Sequence, residues 1–404
     1  MNVKHFGNNL SLFRRKKDLT QAQFAEKLGV TDKTVSKWEC GRGLPNVSQL
    51  PAISRILCVR VDDLLRESGG GIVVAGNLIA DTVKTIDVYP VAGKLANIQQ
   101  SCRASGGCVS NVSINLATID PSLDITAVGM VGNDENGRFL LDKLRSAGVN
   151  TDNVSITGEY STAFCDVMSL PSGERTFFSS SGANMHFSPS DIDVAHLSCK
   201  IFHIGYLLLL DQFDLPDEEY GTVMARFLCT LQKKGIKTSL DVVSSSDTDK
   251  YERVIIPSLK YANYVIFNEI ECCNIWKIQP YTASGTLDID RVYLAMQKTM
   301  AAGVKEKVIV HAKDGGFCLS ADGSFTKVGS YEIPADLIKG RVGAGDAFCS
   351  GCLYGLYNDW SDRELLEFAA ATAACSLFSA NSSDGAKSRK AIEKMVLPFK
   401  RREL

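Results

Sequence analysis

No stretch of this 404-residue chain stays apolar long enough to cross a bilayer. The longest such run, Ile201 to Leu210, is about half a membrane span and reads as a buried strand with its extension. No secretory leader is expected, because the N-terminus reaches Arg14-Arg15-Lys16-Lys17 without an apolar core. The cysteines lack order too. There are 13, an odd number without framework spacing, which excludes a disulfide scaffold and points to a reducing cytosol. Cys349 and Cys352 form a lone C-x-x-C with neither a second pair nor nearby histidines. It reads as two small apolar residues on a buried helix face, not as a zinc site. Net charge is nearly absent, −2 overall. With 45% hydrophobic and 22% charged residues, the composition is that of an ordinary soluble globular chain long enough for two domains.

The near-neutral balance hides an asymmetry. Residues 1–66 carry 12 Lys and Arg against 6 Asp and Glu, about +6, while the remainder carries 32 against 40, about −8. A small basic module ahead of a large acidic body confines nucleic-acid contact to the N-terminus. In that module apolar residues recur at helical spacing: Leu10, Phe13, Leu19, Phe24, Ala25, Leu28, Val35, Trp38, then Leu50, Ile53, Ile56 and Leu57. Thr20 is placed to cap a helix from Gln21 and Gly29 to close it; Thr31 or Asp32 caps the next, and Ser48 opens a later one. Five short helices result.

The series Leu19-Thr20-Gln21, Leu28-Gly29-Val30-Thr31, Thr34-Val35-Ser36-Lys37-Trp38-Glu39, Gly41 and Pro45 resembles the Cro/repressor-type (XRE-like) helix-turn-helix family. The resemblance implies that the helix from about Asp32 to Cys40 enters the major groove of double-stranded DNA. Gln21, Lys33, Thr34, Ser36 and Lys37 fall at its contact positions, with side chains suited to phosphates and base edges. Val35 and Trp38 belong to the core. Glu67-Ser68-Gly69-Gly70-Gly71 reads as a short flexible linker, residues 67–71.

The large body is organised around Lys339-Gly340-Arg341-Val342-Gly343-Ala344-Gly345-Asp346-Ala347-Phe348. Small residues let amide groups converge at a helix N-terminus, where the dipole favours developing negative charge. Asp346, in the first turn, is placed as a base toward a hydroxyl. Amides beside a carboxylate are what phosphoryl transfer to an alcohol needs. Upstream, strand-like runs (Ile125–Val131, Lys200–Gly205, Lys237–Val243, Tyr264–Phe267, Lys307–His311) alternate with helical ones (136–147, 220–234, 288–302, 364–379). The alternation predicts an α/β fold, a doubly wound parallel sheet whose ligands gather at the carboxyl ends of strands.

Gly106-Gly107-Cys108-Val109-Ser110-Asn111, Val128-Gly129-Met130-Val131-Gly132-Asn133-Asp134, Gly173-Glu174-Arg175, Asn268-Glu269-Ile270-Glu271 and Gly343-Ala344-Gly345-Asp346 stand in one order. Together they resemble the ribokinase-like (PfkB) carbohydrate kinase family over residues 72–397, which implies a small β lid on the sheet. By that resemblance Asp346 is the base, and Gly343, Ala344 and Gly345 form an anion hole. Asp81, Gly106, Gly107 and Asn111, with Arg175 from the lid, hold the acceptor. Asn268 and Glu271 organise Mg2+, and Asn268 and Gly316 face ATP, with the adenine site near 373–385; Lys313 and Arg341 stand where the chain departs from the family, as candidate contacts to the nucleotide phosphates, the alternatives being a narrowed adenosine groove and a solvent-facing arginine. The family's usual Asp-Thr before the turn is replaced by Arg341-Val342, and Lys313 stands where a nucleotide-loop glycine is usual. The implied function is ATP-dependent phosphorylation of a sugar or nucleoside hydroxyl, joined to sequence-specific DNA binding in a cytoplasmic homodimeric regulator. The alternative is a sugar-sensing regulator whose kinase fold turns over weakly or not at all.

Overall fold

The computed structural model describes residues 3–15, 17, 19–57, 59–65, 70–170, 174–244, 247–379 and 385–404. They form two compact units, Met1–Gly70 and Gly71–Leu404. The expected linker lies outside the described residues up to residue 69, as does Gly173 of the lid motif.

The first unit is five helices: α1 (Val3–Arg15), α2 (Gln21–Leu28), α3 (Asp32–Glu39), α4 (Leu50–Leu57) and α5 (Val61–Leu65). Thr20 and Gln23 cap α2 reciprocally, and Gly29 ends it in the left-handed region at φ 71°. Of the two candidates for α3 it is Thr31 that caps, its side chain accepting from the Thr34 amide. Ser48 does not open the next helix. Asn46 takes that place, bonding the Ser48 and Gln49 ends of a short 3-10 turn over Val47–Gln49, because its carboxamide reaches orphan amides that a serine within the turn cannot. Phe6, Leu10, Phe24, Val35, Trp38, Ile53 and Leu64 fill the core.

One buried ion pair ties α1 to α3. Arg14 Nε and Nη2 reach Glu39 Oε1 and Oε2 at 2.6 and 2.9 Å, and Gln21 Nε2 from α2 reaches Oε2 at 2.8 Å. Burial alone would raise the Glu39 carboxyl, but the bonds from Arg14 and Gln21 outweigh it and hold it below the usual glutamate range.

The second unit carries a nine-stranded sheet. Its strands are β1 (Gly71–Gly76), β4 (Ile125–Gly132), β5 (Asn150–Thr157), β8 (Cys199–Leu207), β11 (Lys237–Val242), β12 (Tyr264–Asn268), β13 (Lys307–His311), β14 (Gly315–Ser320) and β15 (Phe325–Gly329). Their order is β15-β14-β13-β12-β11-β8-β1-β4-β5, parallel from β5 to β13, with β14 and β15 antiparallel at one edge. Strand alternation explains the two-sided burial: Ile72 and Val74 pack on one face, Val73 and Ala75 on the other. A separate four-stranded lid has the order β3-β2-β6-β7, from β2 (Ile79–Ile86), β3 (Ile98–Gly106), β6 (Phe164–Ser169) and β7 (Arg175–Ser180). A two-residue ribbon, β9 (Pro216–Asp217) with β10 (Gly221–Thr222), accounts for one shifted boundary. The helix expected from Tyr220 begins at Val223, because Gly221 and Thr222 pair in that ribbon and Thr222 caps the helix.

Breaking one side of a buried pair strands the other charge. Glu39→Ala is therefore expected to destabilise the N-terminal unit by about 3 kcal/mol, read by urea unfolding and by amide exchange in α3. Because folding lowers the Glu39 pKa below its ordinary 4.5, its contribution is complete above that pH and is lost as pH falls through the lowered value.

Candidate active site

The carboxyl ends of β8, β11 and β12 share a cavity with the N-terminus of the helix Ala344–Tyr357. Gly343 starts that helix at φ 82°, a conformation natural only to glycine, and so turns the chain sharply enough to aim the first amides inward. Gly343, Gly345 and Asp346 line a cavity of about 320 Å³ with Tyr206, Asp241, Asn268, Glu271 and His311. Ala344 lines an adjoining groove of about 450 Å³, to which Gly345 and His311 also belong.

Asp346 is buried, and both its oxygens are engaged. Asn111 Nδ2 donates to Oδ2 at 2.9 Å, and the Tyr206 hydroxyl lies 3.0 and 3.1 Å from the two oxygens. Burial pushes its pKa up to about 6, and those two bonds hold it from going higher. Asp81, on β2, is raised to about 7 by burial and then by repulsion from Asp346. Gly106 makes room for it: a Cβ there would lie 2.2 Å from Asp81 Oδ2. Gly107, at φ 80°, has no room for a side chain either: its ideal Cβ would lie 2.3 Å from the Asn77 carbonyl oxygen. Asp81 and Asn111 are thus brought to Asp346, with Gly106 against Asp81.

Asn268 and Glu271 are joined as a capping box on the helix Glu269–Asn274, each side chain accepting from the other's amide. Ser244 Oγ adds a bond to Glu271 Oε1 at 3.1 Å. Burial raises Glu271 to about 7. These hard oxygen donors in one cavity suit Mg2+, whose charge would favour the ionised carboxylate.

Lys313 and Arg341 both line the groove, and so do Ala373, Ala374 and Leu377, from the region expected to hold a purine; residues 380–384 lie outside the described set. Two expected residues do not join the site. Gly316 is packed under Phe348, whose ring would meet its Cβ at 2.9 Å; neighbouring Gly315 lines the groove instead. Arg175 pairs with Ser169 beside Thr85, four residues along β2 from Asp81, roughly 13 Å at the strand rise. In the other unit, Lys33 and Lys37 are exposed on α3, Thr34 and Ser36 are half-buried, and Gln21 is held on Glu39.

Two residues escaped the sequence reading. Tyr206 sits at φ 60°, strained for a non-glycine, which swings its hydroxyl onto Asp346. Asp241 accepts from the Tyr206 amide at 2.7 Å, and burial followed by Asp346 raises its pKa well above the usual range. The available signal was a lone carboxylate inside an apolar strand.

The profile of the pfkB family carbohydrate kinases matches residues 72–389. The chain belongs to this family. A helix-turn-helix profile matches residues 10–64. As a pfkB-family kinase, the chain is a phosphotransferase with an alcohol group as acceptor. It is similar to the 5-dehydro-2-deoxygluconokinase of Geobacillus kaustophilus, 24% identical over 72% of this chain and 84% of that protein. It is also similar to the ATP-dependent ribose-1-phosphate kinase of Halopiger xanaduensis, 26% identical over 74% of this chain and 89% of that one. The ribokinase of Arabidopsis thaliana, solved with ribose and ATP, shares the fold with a TM-score of 0.67 at 21% identity, covering 81% of this chain and 99% of that one. Among the described residues, no helix is long and apolar enough to cross a membrane.

Removing the Tyr206 hydroxyl takes a donor from the charged form of Asp346 and so raises its pKa. In Tyr206→Phe the acidic limb of the pH–rate profile is expected to move up by about one unit, as measured by kcat between pH 5 and 8.

Proposed function

We propose that the chain moves the terminal phosphoryl group of ATP to a hydroxyl of a sugar or nucleoside, and that its basic N-terminal unit reads double-stranded DNA. The observation that carries the first part is Asp346: a buried carboxylate, raised to about 6, in the first turn of a glycine-started helix between an acceptor-sized cavity and a groove with Lys313 and Arg341. Asp346 takes the proton of the acceptor hydroxyl, while the amides of Gly343, Ala344 and Gly345 receive the charge that builds on the transferred group. Asp81, Asn111 and the Gly106-Gly107 backbone orient the acceptor, and Lys313 and Arg341 hold nucleotide phosphates. Mg2+, organised by Glu271 and Asn268, would neutralise phosphate charge. The sugar-named relatives support a polyol-type acceptor.

The helix-turn-helix match and the charge of about +6 over residues 1–66 support DNA binding and a regulatory role. Domains of that type pair on half-sites one helical turn apart, which supports a homodimer. The disorderly cysteines, 12 of them free among the described residues, support a reducing cytoplasm. One observation favours the second reading, a sugar sensor with little turnover: both Asp346 oxygens are already taken by Asn111 and Tyr206.

Asp346→Asn is expected to lower kcat by 10²- to 10⁴-fold, roughly 3–5 kcal/mol of barrier, with acceptor affinity nearly kept. A variant holding more than about a tenth of the rate contradicts the assignment. For the DNA unit, Lys37→Ala is expected to weaken binding evenly across sequences and Lys33→Ala to alter base preference, both read by salt-dependent fluorescence anisotropy. Full-length protein that binds no duplex at low salt overturns that part.

A further inference from the structure

Next to Asp346, a second constellation lies deeper than phosphoryl transfer requires. His203 Nε2 is 3.5 Å from Cys108 Sγ, 3.7 Å from Cys349 Sγ and 3.8 Å from Asp241 Oδ2. The donor atoms of Cys108, His203 and Asp241 all lie within 4.8 Å of one another. The four residues come from four different elements: the helix Gly107–Ile119, the helix Ala344–Tyr357, β8 and β11. All are buried, Cys108 and His203 completely.

The bland reading is a core histidine among small apolar thiols. It leaves three groups crowded on one ring nitrogen, which in a neutral imidazole either donates once or accepts. Nδ1 already has its partner, Ser239 Oγ at 3.1 Å, an arrangement that orients a histidine toward a ligand on its other nitrogen. Space has also been kept for the thiol. A Cβ on Gly205 would fall 2.1 Å from Cys108 Sγ and 3.1 Å from Asp241 Oδ1. With metal–sulfur bonds of about 2.3 Å and a metal–nitrogen bond of about 2.0 Å, a tetrahedron has sulfur–nitrogen edges of roughly 3.5 Å. The two sulfur–nitrogen spacings, 3.5 Å for Cys108 and 3.7 Å for Cys349, match those edges.

We propose that Cys108, Cys349, His203 and Asp241 form a four-ligand site for one divalent cation of the zinc class. Two sulfurs, an imidazole and one carboxylate oxygen make a soft donor set, unlike the oxygen donors of Asn268 and Glu271. On binding, the two thiols and the Asp241 carboxyl release their protons to solvent, two metal–sulfur bonds and one metal–oxygen bond form, His203 gives its Nε2 lone pair, and nothing is oxidised or reduced. Cys349 and Asp241 both line the acceptor cavity, which gives the ion a way in. Four protein ligands leave no open position, so the ion is structural. Asp241 keeps its other oxygen on the Tyr206 amide, and Tyr206 holds Asp346, so the ion braces the base from behind. Of the C-x-x-C pair only Cys349 takes part; its partners come from distant elements, which sequence spacing cannot show. The inference is independent of whether the site turns over ATP.

The test is cobalt titration of reduced, metal-free full-length protein. One equivalent of Co2+ is expected to give tetrahedral visible bands and a thiolate-to-cobalt band in the near ultraviolet, both removed by one equivalent of Zn2+. Cys108→Ala and Cys349→Ala are each expected to weaken Co2+ binding at least a hundredfold and to diminish the thiolate band. If either variant fails to fold, X-ray absorption of the zinc-loaded wild type decides, with two sulfurs at about 2.3 Å and two lighter atoms near 2.0 Å expected. No cobalt uptake, a six-coordinate spectrum without sulfur, or undiminished bands in folded variants would each overturn the proposal.

Discussion

A carboxylate is buried at the mouth of the sheet with no lysine or arginine among the described residues bonded to it. Asp346 keeps an acid–base range near neutrality because burial raises it while only Asn111 and the Tyr206 hydroxyl support its charge. A guanidinium in their place would pull the carboxyl down and leave a weaker base. Much of the surrounding backbone serves that choice. Gly343 turns the chain to begin the helix, Gly106 clears space for Asp81, and Tyr206 accepts a left-handed backbone to deliver its hydroxyl. Asp241 then fixes Tyr206 through its amide. The strain stands where the chemistry is, as expected for a site whose geometry is held by surrounding structure.

The same carboxyl edge gathers Asp81, Asp241, Asp346 and Glu271, all raised by burial. Such a concentration of acid groups is costly unless cations or protons neutralise it. Cations at the proposed sites, the oxygens of Glu271 and Asn268 and the donors around His203, would offset that cost. The basic groups that would meet nucleotide phosphates, Lys313 and Arg341, lie in the neighbouring groove. Among the described residues, Asp346 is bonded instead by the uncharged Asn111 and Tyr206.

The fold was largely legible in the sequence because its signals are local. Thr20, Gly29 and Thr31 bound α2 and α3 through single-residue caps, and the alternation of apolar runs located most of the parallel strands, though not β5. The glycine turn before Asp346 is likewise local. What the sequence hid depends on long-range register. Tyr206 meets Asp346 across 140 positions, and nothing near Gly205-Tyr206 shows that a hydroxyl will be swung there. Gly316 looked like a nucleotide-loop glycine, but tertiary packing gave it to Phe348. Arg175 was placed by motif, and only strand pairing shows how far along the lid it stands. The Asn268–Glu271 pair was read as an ion-organising element; the structure shows the same two side chains capping a helix.

The central claim is that Asp346 sits in a working phosphoryl-transfer site and not in a relic of one. ADP release by the full-length wild-type chain, followed with ATP and Mg2+ against a panel of sugars, sugar acids, sugar phosphates and nucleosides, tests it most directly. The account predicts at least one acceptor that raises ADP formation far above the rate with water alone, with the new phosphate found on an acceptor hydroxyl. Ligands that bind the acceptor cavity while none across the panel raises ADP release would contradict it, and would make the site a sensor.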